Sequence, residues 1–290
     1  RRDRTYVMPS LPDVMPPAIE TLAPAGAPNP APQEANRDAL VEWLLRTGDN
    51  ALILGQRLSE WCGHGPALEE DIALANQALD LIGQCQLWLG LAAEVEGRGR
   101  SADDLAFLRD AGAFRNLLLV ERPNGDFGHT LMRQFLFDAF HLEMLEAARA
   151  STDPRIAEIA AKAWKEAAYH LERSADLVVR LGDGSAESHD RMQAALTALW
   201  SFTGEMFTDD DHDRGLADAG VMPLPSSLRP AWDRTVAQVL EEATLTHPGD
   251  VWQQGTTGMG GGKRGVHSEH LGHLLAQMQF LQRAYPGARW

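Results

Sequence analysis

Apolar residues recur at helical spacing through most of the chain, and strand-like alternation is scarce. Leu40, Trp43, Leu44, Leu52, Leu54 and Leu58 predict a helix from Arg37, closed by Cys62-Gly63-His64-Gly65-Pro66. A second opens on Glu69-Glu70-Asp71, acids favoured by the helix dipole, and runs through Leu74, Ala78, Leu81, Cys85 and Leu89 to about Glu96. A shorter segment is expected over Ala102–Phe114, ahead of the turn signal Asn124-Gly125-Asp126. The third long helix spans about Phe127–Ala150, with Met132, Phe135, Leu136, Ala139 and Leu142 facing inward. The fourth follows Thr152-Asp153-Pro154 and reaches Gly182. Ser188–Thr203, Glu205–Ala219 and Leu228–Ala243 predict shorter helices, and a Gly-rich turn over Gly255–Gly265 precedes a last one near Glu269–Tyr285. The fold class is therefore all-α: a four-helix bundle over about residues 38–182, with a C-terminal helical extension over 183–290. Residues 1–36, rich in Pro and Ala, predict an extended or disordered N-terminal arm.

Three acids interrupt apolar helical stretches: Asp80, Asp138 and Glu166. A buried carboxylate is costly unless paired, protonated or bound to metal. Acids pointing inward from several helices suggest a carboxylate-bridged di-metal bundle, which also takes a Glu-x-x-His from each of two helices. The matching offsets here read Asp80-Leu81-Ile82-Gly83 and Glu166-Ala167-Ala168-Tyr169, without the histidines. Asp80, Asp138, Glu166 and Tyr169 are thus expected to be the remnant of a metal site that binds none. The simpler account pairs each acid locally, Asp138 with His141 and Glu166 with Lys162 or His170.

Other strings carry weaker signals. His267-Ser268-Glu269-His270-Leu271-Gly272-His273 lacks the His-Glu-x-x-His spacing of a zinc helix, and predicts a helix start capped by Ser268 with histidines bonded to backbone. Asp209-Asp210-Asp211-His212-Asp213 lacks the ligand order of a calcium loop and reads as a solvated acidic loop or helix end. Cys62 and His64 flank Gly63 without a third catalytic partner. Gly255–Gly265, with Lys263 and Arg264, lacks the Walker spacing.

Lys and Arg number 26 against 41 Asp and Glu, a net charge of −15 that argues against a nucleic-acid partner. Two cysteines cannot form a disulfide framework and suit a reduced, cytoplasmic setting. No apolar run reaches the roughly 18 residues of a membrane span. No secretory signal is expected of Arg1-Arg2-Asp3-Arg4, which has no apolar core behind it.

Longer strings carry a resemblance. Arg57-Leu58-Ser59-Glu60-Trp61-Cys62-Gly63-His64-Gly65-Pro66 leads into Leu68-Glu69-Glu70-Asp71-Ile72-Ala73-Leu74-Ala75-Asn76. Phe114-Arg115-Asn116-Leu117-Leu118-Leu119-Val120-Glu121, Arg122-Pro123-Asn124-Gly125-Asp126-Phe127 and Arg180-Leu181-Gly182-Asp183-Gly184 follow, and the chain ends Gln282-Arg283-Ala284-Tyr285-Pro286-Gly287-Ala288-Arg289-Trp290. Over about residues 38–290 the chain resembles the C subunits of bacterial phenylacetyl-CoA epoxidases. That resemblance implies a ferritin-like fold and a non-catalytic, structural role beside a homologous catalytic subunit of the PaaA type. The catalytic subunit would carry the di-iron centre, and an accessory B subunit and a reductase would complete an assembly that epoxidises the ring of phenylacetyl-CoA with O2 and NADPH electrons. No catalytic residue carries over to this chain. The first two helices and the aromatic C-terminal end, through Trp43, Trp61, Phe280 and Tyr285, are the expected interface. The competing expectation is a self-sufficient ferritin-like metalloprotein, an oxygenase or a metal store, using the acids with His141 or His170.

Overall fold

The computed structural model describes residues 34–249 and 261–288; residues 1–33 of the expected arm, Trp252 and most of the Gly-rich turn lie outside them, while 34–36 are already helical rather than part of an arm. Four long helices dominate: α1 (Glu34–Ser59), α2 (Leu68–Glu96), then, beyond the short α3 (Ala102–Phe107) and α4 (Leu118–Glu121), α5 (Phe127–Arg149) and α6 (Pro154–Gly182). The remainder is α7 (Ala186–Trp200), α8 (Asp211–Asp218), α9 (Pro225–Glu242), α10 (Glu269–Met278) and α11 (Phe280–Ala284), with no strand among the described residues.

Two antiparallel hairpins make the bundle. In the first, Arg37 at the start of α1 donates to the carbonyl of Val95 at the end of α2 (2.7 Å). The axes come close because Gly48 and Gly55 present no side chain: a Cβ at Gly48 would stand 2.6 Å from Leu89 Cδ2, and one at Gly55 3.3 Å from the Ala78 carbonyl. The second hairpin is α5 and α6, each started by an aspartate cap. Asp126 accepts from the His129 amide (2.8 Å), and Asp153 from the Arg155 amide (2.9 Å) ahead of Pro154. Helices α7 and α9 pack on this hairpin and α8 packs on α1. Trp88, Trp200 and Trp232 are fully buried, and the Trp232 indole donates to the Leu136 carbonyl (3.0 Å), fixing α9 on α5.

Three predicted helices are shorter or broken, each where a buried polar side chain takes over the backbone. The Ala102–Phe114 segment stops at Phe107, because Arg109 turns inward to pair with the fully buried Asp49, which also accepts from the Arg115 amide (2.8 Å). The freed carbonyls of Ala106 and Arg109 accept from the buried Gln279 amide (both 3.0 Å), and Gln279 in turn divides the predicted Glu269–Tyr285 helix into α10 and α11. Glu205–Ala219 divides into a 3-10 turn over Thr203–Phe207 and α8. Buried Glu205 accepts from the amides of Leu118 (2.8 Å) and Lys263 (2.9 Å), and Asp210 starts α8 in a capping box with Asp213.

Candidate functional site

Polar side chains gather in the bundle core where α2, α5 and α6 meet. Gln77 and Gln84 come from α2, Gln134, Asp138 and His141 from α5, and His170 and Ser174 from α6, all buried. Asp138 accepts from Gln134 Nε2 (2.7 Å), Ser174 Oγ (2.9 Å) and Gln77 Nε2 (3.4 Å). His170 Nε2 lies 3.0 Å from Asp80 Oδ2. Burial raises the Asp138 carboxyl to about 6, against the opposing pull of His170 and the three donors. Burial, with His170 adding to it, holds His141 neutral down to about 3. The Nδ1 atoms of both histidines and the Oε1 atoms of all three glutamines are buried without a hydrogen-bond partner. Helix α1 contributes nothing, since Asp49 is taken by Arg109 and Arg115, and Asn50 by the Leu117 amide (2.8 Å).

Of the expected remnant, only Asp138 belongs to this core. Asp80 is at the rim, with 40% of its side chain exposed. Glu166 is half-buried and accepts from Gln84 (2.9 Å), not from Lys162 or His170. Tyr169 is 62% exposed. The hydrogen bonds of Asp138 likewise come from amides and a hydroxyl rather than from His141. The inward face of α6 is Ala160, Ala163, Ala167, His170 and Ser174, one position on from the offset Glu166-x-x-Tyr169. On α2 the inward residue is Gln84; Gly83 is exposed, with nothing within 4 Å of where a Cβ would be. The inward positions three residues apart are Asp138 and His141 on α5 and Ala167 and His170 on α6. Two imidazoles are therefore present in the core beside a single fully buried carboxylate. The sequence signal for this was available in Asp138-Ala139-Phe140-His141, an acid and a histidine at i and i+3.

A di-iron centre fits these residues poorly. It takes four carboxylates and two imidazoles from four helices. This core offers one fully buried carboxylate, already ringed by neutral donors, with amides on α2 and alanine at position 167. Among the described residues no three His, Cys, Asp or Glu side chains converge in a way that could hold a metal ion.

The remaining strings are structural. His267 bridges Glu121 (Nδ1 to Oε2, 2.7 Å) and the Phe114 carbonyl (3.0 Å), and the Ser268 amide donates to the same fully buried Glu121 (2.7 Å). Ser268 occupies the cap position of α10 without a side-chain cap bond. Asp210 and Asp213 are buried rather than solvated: Arg46 pairs with Asp210 (2.5 Å) and Asp213 (3.3 Å), and Lys263 with Asp213 (3.1 Å). Arg46 and Lys263 line, together with Phe140, Met144, Met206 and Met222, a mostly apolar cavity of about 60 Å³. His64 meets the Cys62 carbonyl, not its thiol (3.0 Å), and both cysteines are free. Of the interface candidates, Trp43 is core, edge-on to Trp88 with ring centres 5.5 Å apart. Trp61 is half-buried against Phe127 and bonded to Thr130 (3.0 Å), while Phe280 and Tyr285 are exposed (62% and 58%).

The fold is a ferritin-like four-helix bundle whose polar core holds one fully buried carboxylate, two imidazoles, three amides and a hydroxyl. The family profile described as phenylacetic acid catabolic protein matches residues 25–290, and the chain belongs to this family. The chain is 49% identical over 251 residues to the C subunit of the 1,2-phenylacetyl-CoA epoxidase of Escherichia coli (strain K12), covering 87% of this chain and 99% of that protein. No helix among the described residues is long and apolar enough to cross a membrane.

Proposed function

We propose that this chain is the non-catalytic, structural subunit of a multicomponent phenylacetyl-CoA epoxidase in phenylacetate catabolism. It holds a homologous di-iron subunit in its working geometry. The observation that carries the reading is the donor set around Asp138: two amides and a hydroxyl where a di-iron bundle gathers further carboxylates. Identity over nearly the whole length of a protein named as the C subunit of such an epoxidase supports it. The partners are then the di-iron catalytic subunit, an accessory B subunit and a reductase, with the metal on the catalytic subunit and the assembly in the cytoplasm. Co-expression of this chain with those subunits should give a complex that consumes O2 and NADPH and forms the ring epoxide of phenylacetyl-CoA. The chain alone should do neither. Turnover that is equally fast without this chain would overturn the proposal.

One observation favours a second reading, a metalloprotein in its own right: His141 and His170 are both buried with an unbonded Nδ1. Elemental analysis of the purified chain decides between the two. Iron or manganese near one or two equivalents, with oxygen consumption by this chain alone, would establish the second.

A further inference from the structure

Helix α8 and the start of α9 pack back onto α1 and α5 and leave between them the cavity of about 60 Å³. Its walls are mostly carbon: Phe140 and Met144 from α5, Met206 from the 3-10 turn, Leu216 from α8 and Met222 ahead of α9. Three of the nine methionines of the chain meet here, and unbranched thioether side chains adapt their shape to a guest. Exposed Pro223 and half-buried Pro225 and Leu228 lie on the solvent side, where two fixed proline φ angles keep the entrance stiff. The charges of the lining are engaged inside the chain. Arg46 donates to Asp210 and Asp213, and Lys263 to Asp213 and to the Thr208 carbonyl (2.7 Å). The Thr47 hydroxyl donates to the Trp43 carbonyl (3.0 Å). One buried side chain is only half engaged. Asn50 Oδ1 accepts from the Leu117 amide (2.8 Å), which fixes the carboxamide and leaves Nδ2 without a partner among the described residues. The indole N–H of Trp43, a second donor of the lining, has none either.

We infer that this cavity is a binding site for a small uncharged carbonyl compound of about four heavy atoms, its carbon against the methionines and its oxygen on Asn50 Nδ2. A pocket walled by carbon with a few placed polar groups is the usual form of a small-molecule site. Charge excludes ions. A carboxylate would find Arg46 and Lys263 already paired, and an ammonium would find Asp213 taken. The groups left over are N–H donors, so the guest must bring an acceptor. A carbonyl does so without a proton of its own. An alcohol would need an acceptor as well, in a lining where the oxygens of Asp213 and Asn50 are occupied. Volume sets the size. A water takes up about 30 Å³ of liquid, and a dry cavity that admits benzene measures about 150 Å³. A cavity of about 60 Å³ therefore has room for a few heavy atoms and not for an aromatic ring. The site shares no residue with the polar core around Asp138 and does not depend on the proposed function.

The test is NMR of the full chain, labelled at its methionine methyls and titrated with acetone. The signals of Met144, Met206 and Met222 should shift and saturate with a dissociation constant on the order of 1 mM. Met132 and Met192, buried elsewhere, should not move. Xenon, apolar and without an acceptor, should move the same three signals. Asn50→Asp keeps the oxygen that the Leu117 amide needs and removes the N–H donor, so it should weaken acetone roughly 10-fold and leave xenon unchanged. Leu228→Phe, at the half-buried mouth, should weaken both. In the parent chain the Asn50 side-chain NH2 resonance should shift with acetone and stay in place with xenon, a readout that holds even if Asn50→Asp does not fold. The inference is overturned if acetone moves none of the three methionines, which would leave the cavity to water, or if it moves every methionine alike. It is equally overturned if xenon alone binds, or if Asn50→Asp takes acetone as the parent does.

Discussion

Asp138 and His141 are one helical turn apart in the same buried core and pull stability in opposite directions with pH. The Asp138 carboxyl is raised to about 6, so between its ordinary value near 4 and about 6 the folded chain retains a proton that the unfolded chain has released. Its contribution therefore weakens as pH rises through that window. His141 stays neutral down to about 3, so from about 6.5 downward the unfolded chain takes up a proton that the folded chain refuses. Its contribution weakens as pH falls. Asp138→Asn removes the first effect, so its stability relative to the parent should improve by up to about 3 kcal/mol between pH 4 and pH 7. His141→Leu should flatten the acid limb between about pH 6.5 and 4. Urea unfolding across pH checks both, and a pH-independent difference for Asp138→Asn would mean that the carboxyl is not perturbed.

At the scale of elements, the short connections are held by buried charge pairs rather than by helix propensity. Arg109, closing α3 against α1, has side-chain exposure of 6%, and Asp49 has none. Removing one member of such a pair leaves the other charge buried and alone, which costs about 3–5 kcal/mol. Arg109→Met should lose stability in that range by denaturant unfolding, and Asp49→Asn in the same chain should recover a large part of it. Full additivity of the two changes would deny the pairing. The cap at α6 is a smaller element of the same kind: Asp153→Ala should cost about 1 kcal/mol, read from the shift in denaturation midpoint.

At the scale of the whole molecule, a bundle that need not open its core to O2 and substrate can be packed for rigidity and used as a support. Binding that favours the folded state raises apparent stability by mass action. Mixing this chain with the proposed catalytic subunit should accordingly raise both melting transitions, and unmoved transitions with no co-eluting complex would refute the support role. Asp80→Asn, Asp138→Asn and Glu166→Gln combined should leave turnover of the complex largely intact, since none of the three acids is assigned to the chemistry. Near-complete loss of turnover in a normally assembled complex would show that the core has a direct part in the reaction.

Long-period patterning was enough for the four bundle helices and their order, because an apolar stripe repeated over 23 to 29 residues leaves little choice of element. The starts of α5 and α6 were marked locally as well, by the turn signal Asn124-Gly125-Asp126 and by Thr152-Asp153-Pro154, and the structure adds that Asp126 and Asp153 are the caps. Which face of α6 turns inward was not. An apolar stripe wide enough to hold Ala163, Ala167 and His170 tolerates a shift of one residue, and only packing against α5 and α2 chose His170 over Tyr169. The breaks at Arg109, Glu205 and Gln279 were also hidden. Their partners Asp49, Leu118 and Ala106 lie 60, 87 and 173 residues away, and no local rule registers a hydrogen bond made across the fold. The sequence by itself determined an all-α bundle and its family. Tertiary structure decided which polar groups share the core and where the shorter helices break, because burial belongs to the packed chain and not to any segment of it.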